Sequence, residues 1–277
     1  MDKQDIIKAA AYFVESSKDN YISEQIAISE KVVRMKIFEE PVFAFGSSED
    51  EYFNLLKAPS AIGRHFLLPK EWLPTSKTVI SFFLPFSEAV RKGNGSDMLW
   101  PSEEWLHGRI EGQILVNNLC SYLKSELTNA GYDCVVPTLD ERFWSISKPD
   151  SASRYPGTSF SSNWSERHVA FVCGLGTFGL SKGLITKKGI SGRIGSVITD
   201  LILSPSKREY NYTYEYCSLC GKCVKNCPVN AISMEKGKDH TICSEFLNKT
   251  LARHKPRYGC GKCQVAVPCE CGIPGRH

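Results

Sequence analysis

Nine of the twelve cysteines in this 277-residue sequence fall between Cys217 and Cys271. Thiols at that density either pair as disulfides or hold metal. Met1-Asp2-Lys3-Gln4-Asp5 lacks the basic and apolar regions of a secretory signal, so a reducing cytoplasm is the expected compartment and metal the expected use. The run Cys217-x2-Cys220-x2-Cys223-x3-Cys227-Pro228 has the spacing that sets three thiolates on one iron–sulfur cubane and sends the fourth to a second cubane. Pro228 suits a first helical turn, where a missing N–H costs nothing. A zinc site would instead show two separated C-x2-C pairs. Cys260-x2-Cys263-x5-Cys269, with Cys243, brings the ligand count to the eight that two [4Fe-4S] clusters need. Cys217, Cys220, Cys223 and Cys269 are expected to hold one cluster, and Cys227, Cys243, Cys260 and Cys263 the other. Cys271 is a spare or a competitor of Cys269. Cys120, Cys134 and Cys173 lie in apolar patterns and read as buried structural thiols.

Two adjacent clusters pass electrons one at a time, so the rest of the chain must hold what they serve. Candidate acids and bases are His107, on a helix with Arg109 and Glu111, and Asp140, which follows Val135-Val136 and Pro137. Glu166-Arg167-His168 forms a charged helix start, and Arg167 or His168 is placed to serve a substrate. Gly174-x-Gly176-x2-Gly179 matches a dinucleotide fingerprint, with Asp200 further on. Gly183, Gly189, Gly192 and Gly195 spoil the helix that fingerprint requires, which leaves a glycine-rich turn. Asp200 either binds backbone N–H groups or contacts a cofactor amide. The stretch Lys249, Arg253, Lys255, Arg257 and Lys262 has few interleaved aromatics, Phe246 and Tyr258 among them. It suits docking of an acidic electron donor such as a flavodoxin or ferredoxin better than nucleic acid.

These residues need elements to position them. Hydrophobic residues make up 42% and charged residues 23%, which excludes wholesale disorder. No apolar run approaches the ~18 residues of a membrane span, so no membrane partner is expected. The net charge is +4, with +6 on residues 207–277, so the cysteine-rich part is a basic module on a near-neutral body. Periodicity predicts helices over 5–16, from Ser102 to about Asn129, and over 164–172. Strands are predicted within 32–45, over 78–84, 132–136 and 195–203, with 88–101 and 145–163 as loops. Residues 1–206 are read as one domain and 207–277 as a second.

The cysteine run is that of bacterial ferredoxins. Gly174-Leu175-Gly176, Thr199-Asp200-Leu201, Cys243-Ser244 and Tyr258-Gly259-Cys260 together resemble epoxyqueuosine reductase and, more distantly, the reductive dehalogenases. Leu68-Pro69 through Thr78-Val79-Ile80 to Leu84-Pro85-Phe86 fits the first core strand of the same family, and the resemblance spans residues 65–270. It implies an α+β protein: a nitroreductase-like α/β domain binding base-off cobalamin, followed by a ferredoxin-like domain with two clusters. The nearer cluster would reduce the cobalt, and the corrin would carry the chemistry on a small substrate. The candidate cofactor contacts are then Gly174, Leu175, Gly176, Gly179, Ser196, Asp200 and Ser244. Tyr155 becomes a candidate phenolic proton donor of the kind used in related dehalogenases. The chain departs from the family in three places. The family's aspartate falls here near Phe160, Gly-Trp-x-Gly-Lys-Asn reads Gly176-Thr177-Phe178-Gly179-Leu180-Ser181, and the last cysteine run has five intervening residues instead of three. A divergent reductase is therefore expected ahead of a tRNA-modifying one, with a substrate-free electron-transfer or corrinoid-activating protein as the other possibility.

Overall fold

The computed structural model describes residues 1–147 and 159–275. Its centre is the strand Thr78–Pro85, in which all eight residues are buried. It pairs antiparallel with Val42–Ser47 on one side and with Gly192–Thr199 on the other, and Cys134–Val135 closes the sheet beyond. The strand reads as one apolar run because both of its faces are covered. Ile80, Phe82 and Leu84 join a core with the helices Lys3–Ser16 and Glu103–Asn129. Val79 and Phe83 face the other way, onto Trp72, Trp164 and the helix Glu166–Cys173.

Local chemistry sets the helix ends. Asp2 Oδ1 accepts from the N–H groups of Gln4 and Asp5 at 2.7 and 3.0 Å, and Ser102 Oγ accepts from that of Trp105 at 3.3 Å. The long helix then buries Leu115, Leu119, Leu123 and Leu127, four residues apart on one face.

The segment 88–101, expected as a loop, holds the helix Glu88–Gly95 with Ser87 as its cap. Its glycines suggest a turn, but Gly93 is there for space: a Cβ would lie 2.5 Å from the Glu104 carboxyl. Short strands Ser145–Ile146 and Ser161–Ser162 pair within the expected 145–163 loop, and the strand foreseen at 195–203 runs over Gly192–Thr199.

The cysteine-rich part carries the short helix Lys222–Lys225, the hairpin Ile232–Ser233 with Gly237–Lys238, and the helix His240–His254 capped by Asp239. It is fastened to the body by buried polar bonds. Lys262 is fully buried and donates to Asn94 O and Oδ1 at 2.7 and 2.8 Å. Asn94 Nδ2 returns a bond to Cys260 O at 2.9 Å, and Arg91 pairs with Glu270 at 3.3 Å. Among the described residues no helix is long and apolar enough to cross a membrane.

Candidate electron-transfer site

The fold gathers eight of the cysteines around two cavities. Cys217, Cys220, Cys223 and Cys269 line the first, against Ile185, Ile190 and Val267. Cys227, Cys243, Cys260 and Cys263 line the second, with Pro228, Ile232 and Phe246. Each run of the sequence thus lends one thiol to the cavity of the other. Among the described residues no three His, Cys, Asp or Glu side chains converge as they would on a single ion. The donor set in each cavity is all sulfur with apolar walls, which suits a cubane. Burial pushes the thiols of Cys223 up to about 11 and of Cys260 and Cys269 to about 12, and neighbouring thiols add to this. Four thiolates gathered at one cavity need a cationic centre, so iron loading must release protons. The backbone N–H of Ala231 already donates to Cys227 Sγ at 3.1 Å. Cys271 is exposed beside Glu270 and lines neither of these cavities. Cys120 and Cys173 are buried in the core and Cys134 half-buried.

The second cavity, about 440 Å³, opens away from its cysteines onto charged side chains. Arg109 and Gln113 come from the long helix, Glu166 and Arg167 from the start of the helix Glu166–Cys173, and Arg193 from the strand Gly192–Thr199. Burial raises the Glu166 carboxyl to about 8. The group lies close to Ser196 and to the Trp164 indole, whose N–H goes to Ser196 Oγ at 3.0 Å, and no hydrogen bond closes on either carboxyl oxygen. A further cavity of about 790 Å³ adjoins this one and shares Arg109, Arg167 and Leu247 with it. It is lined by His168 and His240, both held down near 4, first by burial and then by neighbouring cations.

The remaining sequence candidates lie elsewhere. His107 is not an exposed helix residue but fully buried. Its Nδ1 meets Glu111 at 3.1 Å and its Nε2 accepts from Ile28 N–H at 3.2 Å, so both ring nitrogens hold the fold together. Asp140 is bound by Arg142 at 2.7 Å near the surface, and that guanidinium holds its carboxyl low. Neither residue lines a cavity described here. Tyr155 lies outside the described residues. The basic stretch is only in part a free patch, with Lys249, Arg253 and Lys255 exposed. Arg257 is tied to Glu111 at 2.5 Å and Lys262 is buried, while Arg253 lies over Trp100.

The expected corrin contacts are largely occupied by protein. A Cβ on Gly176 would meet Ile185 O at 1.9 Å, because the strands Gly176–Phe178 and Leu184–Thr186 pair there. Gly174 caps its helix at φ 102° and packs on Ser206 and Lys207, and Leu175 is in the core. Ser196 receives the Trp164 indole N–H, and Asp200 accepts from Asp133 N–H at 3.0 Å. Gly179 lines the first cysteine cavity, and Ser244 simply follows Cys243. These residues are thus used within the protein, and a corrin would have to lie elsewhere, in the chamber and the cavity adjoining it. Cavities of roughly 300–1,000 Å³ hold drug-sized ligands, and a corrinoid with its nucleotide tail is larger. Sequence reading did not single out Arg109, Gln113, Glu166 or Arg193, which lie on three separate elements, Arg109 and Gln113 together on the long helix. The one signal for Glu166 was its place beside Arg167 at a helix start ahead of the glycine turn.

Comparison with known proteins agrees with this architecture. Residues 210–233 match the model of a 4Fe-4S binding domain. Tetrachloroethene reductive dehalogenases of Desulfitobacterium hafniense and Dehalobacter restrictus are 46% identical over 69 residues, 24% of this chain. The match covers only 12% of those relatives' length. Epoxyqueuosine reductase from Streptococcus thermophilus superposes with a TM-score of 0.53 at 14% identity, covering 99% of this chain and 68% of that one. A catabolic reductive dehalogenase gives 0.53 at 14% identity over 84% of this chain and 30% of its own. The chain therefore has the mixed α and β fold of these reductases, with a ferredoxin-like iron–sulfur region following the body.

Proposed function

We propose that the chain is an iron–sulfur reductase with two [4Fe-4S] clusters. The first cysteine quartet takes electrons from a low-potential donor such as a flavodoxin or ferredoxin. The second delivers them to a small molecule held in the cavity it lines. The observation carrying this reading is that Cys227, Cys243, Cys260 and Cys263 share a cavity with Arg109, Glu166, Arg167 and Arg193. A plain electron carrier would have no use for such a chamber. The outer quartet suits a docking role, since Cys220 and Leu219 are exposed and Lys222 lies close by in the chain. Anaerobic reconstitution with iron and sulfide tests the reading. It expects about eight irons per chain and two dithionite-reducible EPR signals; about four irons and one signal would reject it.

A second reading adds cobalamin. It is favoured by the continuity of the two cavities through Arg109, Arg167 and Leu247, which together give more room than either alone. Such a cofactor would supply the electron-rich metal for the reduction. Titration of the cluster-loaded chain with Co(II) cobalamin checks this: a base-off spectrum supports it, and an unchanged base-on spectrum removes it.

A further inference from the structure

Among the described residues, none of the three arginines lining the chamber beside the second quartet has an ion-pair partner. Arg109 lies over the Tyr258 ring and donates to its Oη at 3.2 Å. Arg167 donates to Lys182 O at 2.8 Å. Arg193 donates to Gln113 Oε1, and its Nε is buried without any acceptor. All three partners are neutral. The arginine ion pairs among the described residues belong to Arg91, Arg142, Arg208 and Arg257 instead. Arg109 also acts on the other two guanidiniums. Arg193 is pushed down to about 9, first by burial and then by Arg109, and Arg167 moves the same way for the same reasons. Arg109 and Arg193 are partly withdrawn from water while Arg167 is exposed, and a withdrawn cation without a counter-ion is costly. A cluster on the second quartet would answer part of this, since Cys263 faces Arg167. No cysteine is among the groups that act on Arg193. Around the arginines the walls are apolar: Phe83, Phe86, Trp105 and Leu184.

We infer that the chamber binds a small organic anion, its carboxylate on Arg193 and Arg109 and its apolar body against Trp105 and Phe86. Guanidinium groups recognise a carboxylate through paired, charge-assisted hydrogen bonds, which explains arginine at these positions. The inference rests on the proposed role of this chamber as the substrate site and names the class of substrate. Glu166 borders the same chamber as a neutral acid, so it does not compete with the ligand for the arginines.

Anaerobic titration calorimetry on the cluster-loaded chain tests this with benzoate, phenylphosphonate and inorganic phosphate, and with benzamide as the uncharged match to benzoate. Benzoate is expected to bind at least about tenfold more tightly than benzamide, and Arg193→Gln to remove about that factor for benzoate while leaving benzamide unchanged. Iron content and circular dichroism verify that the variant is folded and loaded. If it is not, Gln113→Ala, which frees Arg193 from its neutral partner, is expected to tighten benzoate. Equal affinity for benzoate and benzamide overturns the inference, as does saturable binding of none of the three anions, or unchanged benzoate affinity in a loaded Arg193→Gln variant. Iron count and dithionite reduction report separately on the reductase reading, so failure of one is not failure of the other.

Discussion

The two cysteine quartets each join thiols from both runs of the sequence and are placed in different surroundings. The first is packed on Ile185, Ile190 and Val267, with Cys220 at the surface. The second faces inward, onto a chamber with three arginines. Two sets of four thiols are therefore suited to two tasks. An apolar setting with one exposed edge suits exchange with a partner, and a cationic interior favours holding negative charge. Nearby fixed cations stabilise the reduced form of a centre, so electrons should settle on the inner side.

The strongest way to break this contrast is to remove one ligand from each quartet. Cys243→Ser is expected to lose the inner cluster and all substrate reduction while keeping about four irons and one EPR signal. Cys220→Ser should spare the inner cluster and slow only its filling by a protein donor, with dithionite still effective. Iron analysis and donor kinetics on both variants would show whether the roles are distinct.

Glu111 provides the next largest effect. It joins buried His107 to Arg257, and Arg257 leads into the second cysteine run. Glu111→Gln should destabilise the chain by about 3 kcal/mol in denaturant unfolding, since breaking a buried pair strands the partner charge. Oxygen should then destroy the inner cluster faster than the outer one, followed by EPR.

Glu166 borders only the inner chamber. Its carboxyl is raised in the folded chain from 4.5 to about 8, so the unfolded chain gives up that proton first. Stability should therefore fall as pH rises from about 4.5 towards 8, by up to about 1.4 kcal/mol per unit, and level off above. Glu166→Gln should flatten this slope in thermal melts of the loaded protein. A smaller change is expected from Arg167→Gln. With one cation fewer beside Cys263, the inner potential should drop by about 30–60 mV while the outer stays put, read by redox titration. Least of all should come from Asp140→Asn. Its surface pairing with Arg142 is worth under about 1 kcal/mol, and neither cluster should respond.

What was legible in the sequence was whatever is carried by local spacing. The cysteine runs name the eight thiols that the fold gathers, including the crossing of Cys227 and Cys269, because cubane geometry is written into intervals of two and three. The apolar run at Thr78–Pro85 likewise announces a strand buried on both faces. The chamber is different in kind. Arg109 and Arg193 join Arg167 only through tertiary packing, and each of those two alone looks like an ordinary surface cation. His107 was misjudged although a signal existed: a carboxylate stands one helical turn on, at Glu111. Gly176 was misjudged in the other direction. It mimics a cofactor turn, but the lack of a side chain serves a strand that passes 1.9 Å from where a Cβ would be.

The exchange of Cys227 and Cys269 between the cavities also governs how the protein matures. A chain folded only through the first run offers three thiols to one cavity and a single thiol to the other. Neither can close around a cubane until the second run docks, and docking is secured by Lys262 on Asn94. Both clusters should thus load only after that docking, and a chain whose second run is undocked should hold neither.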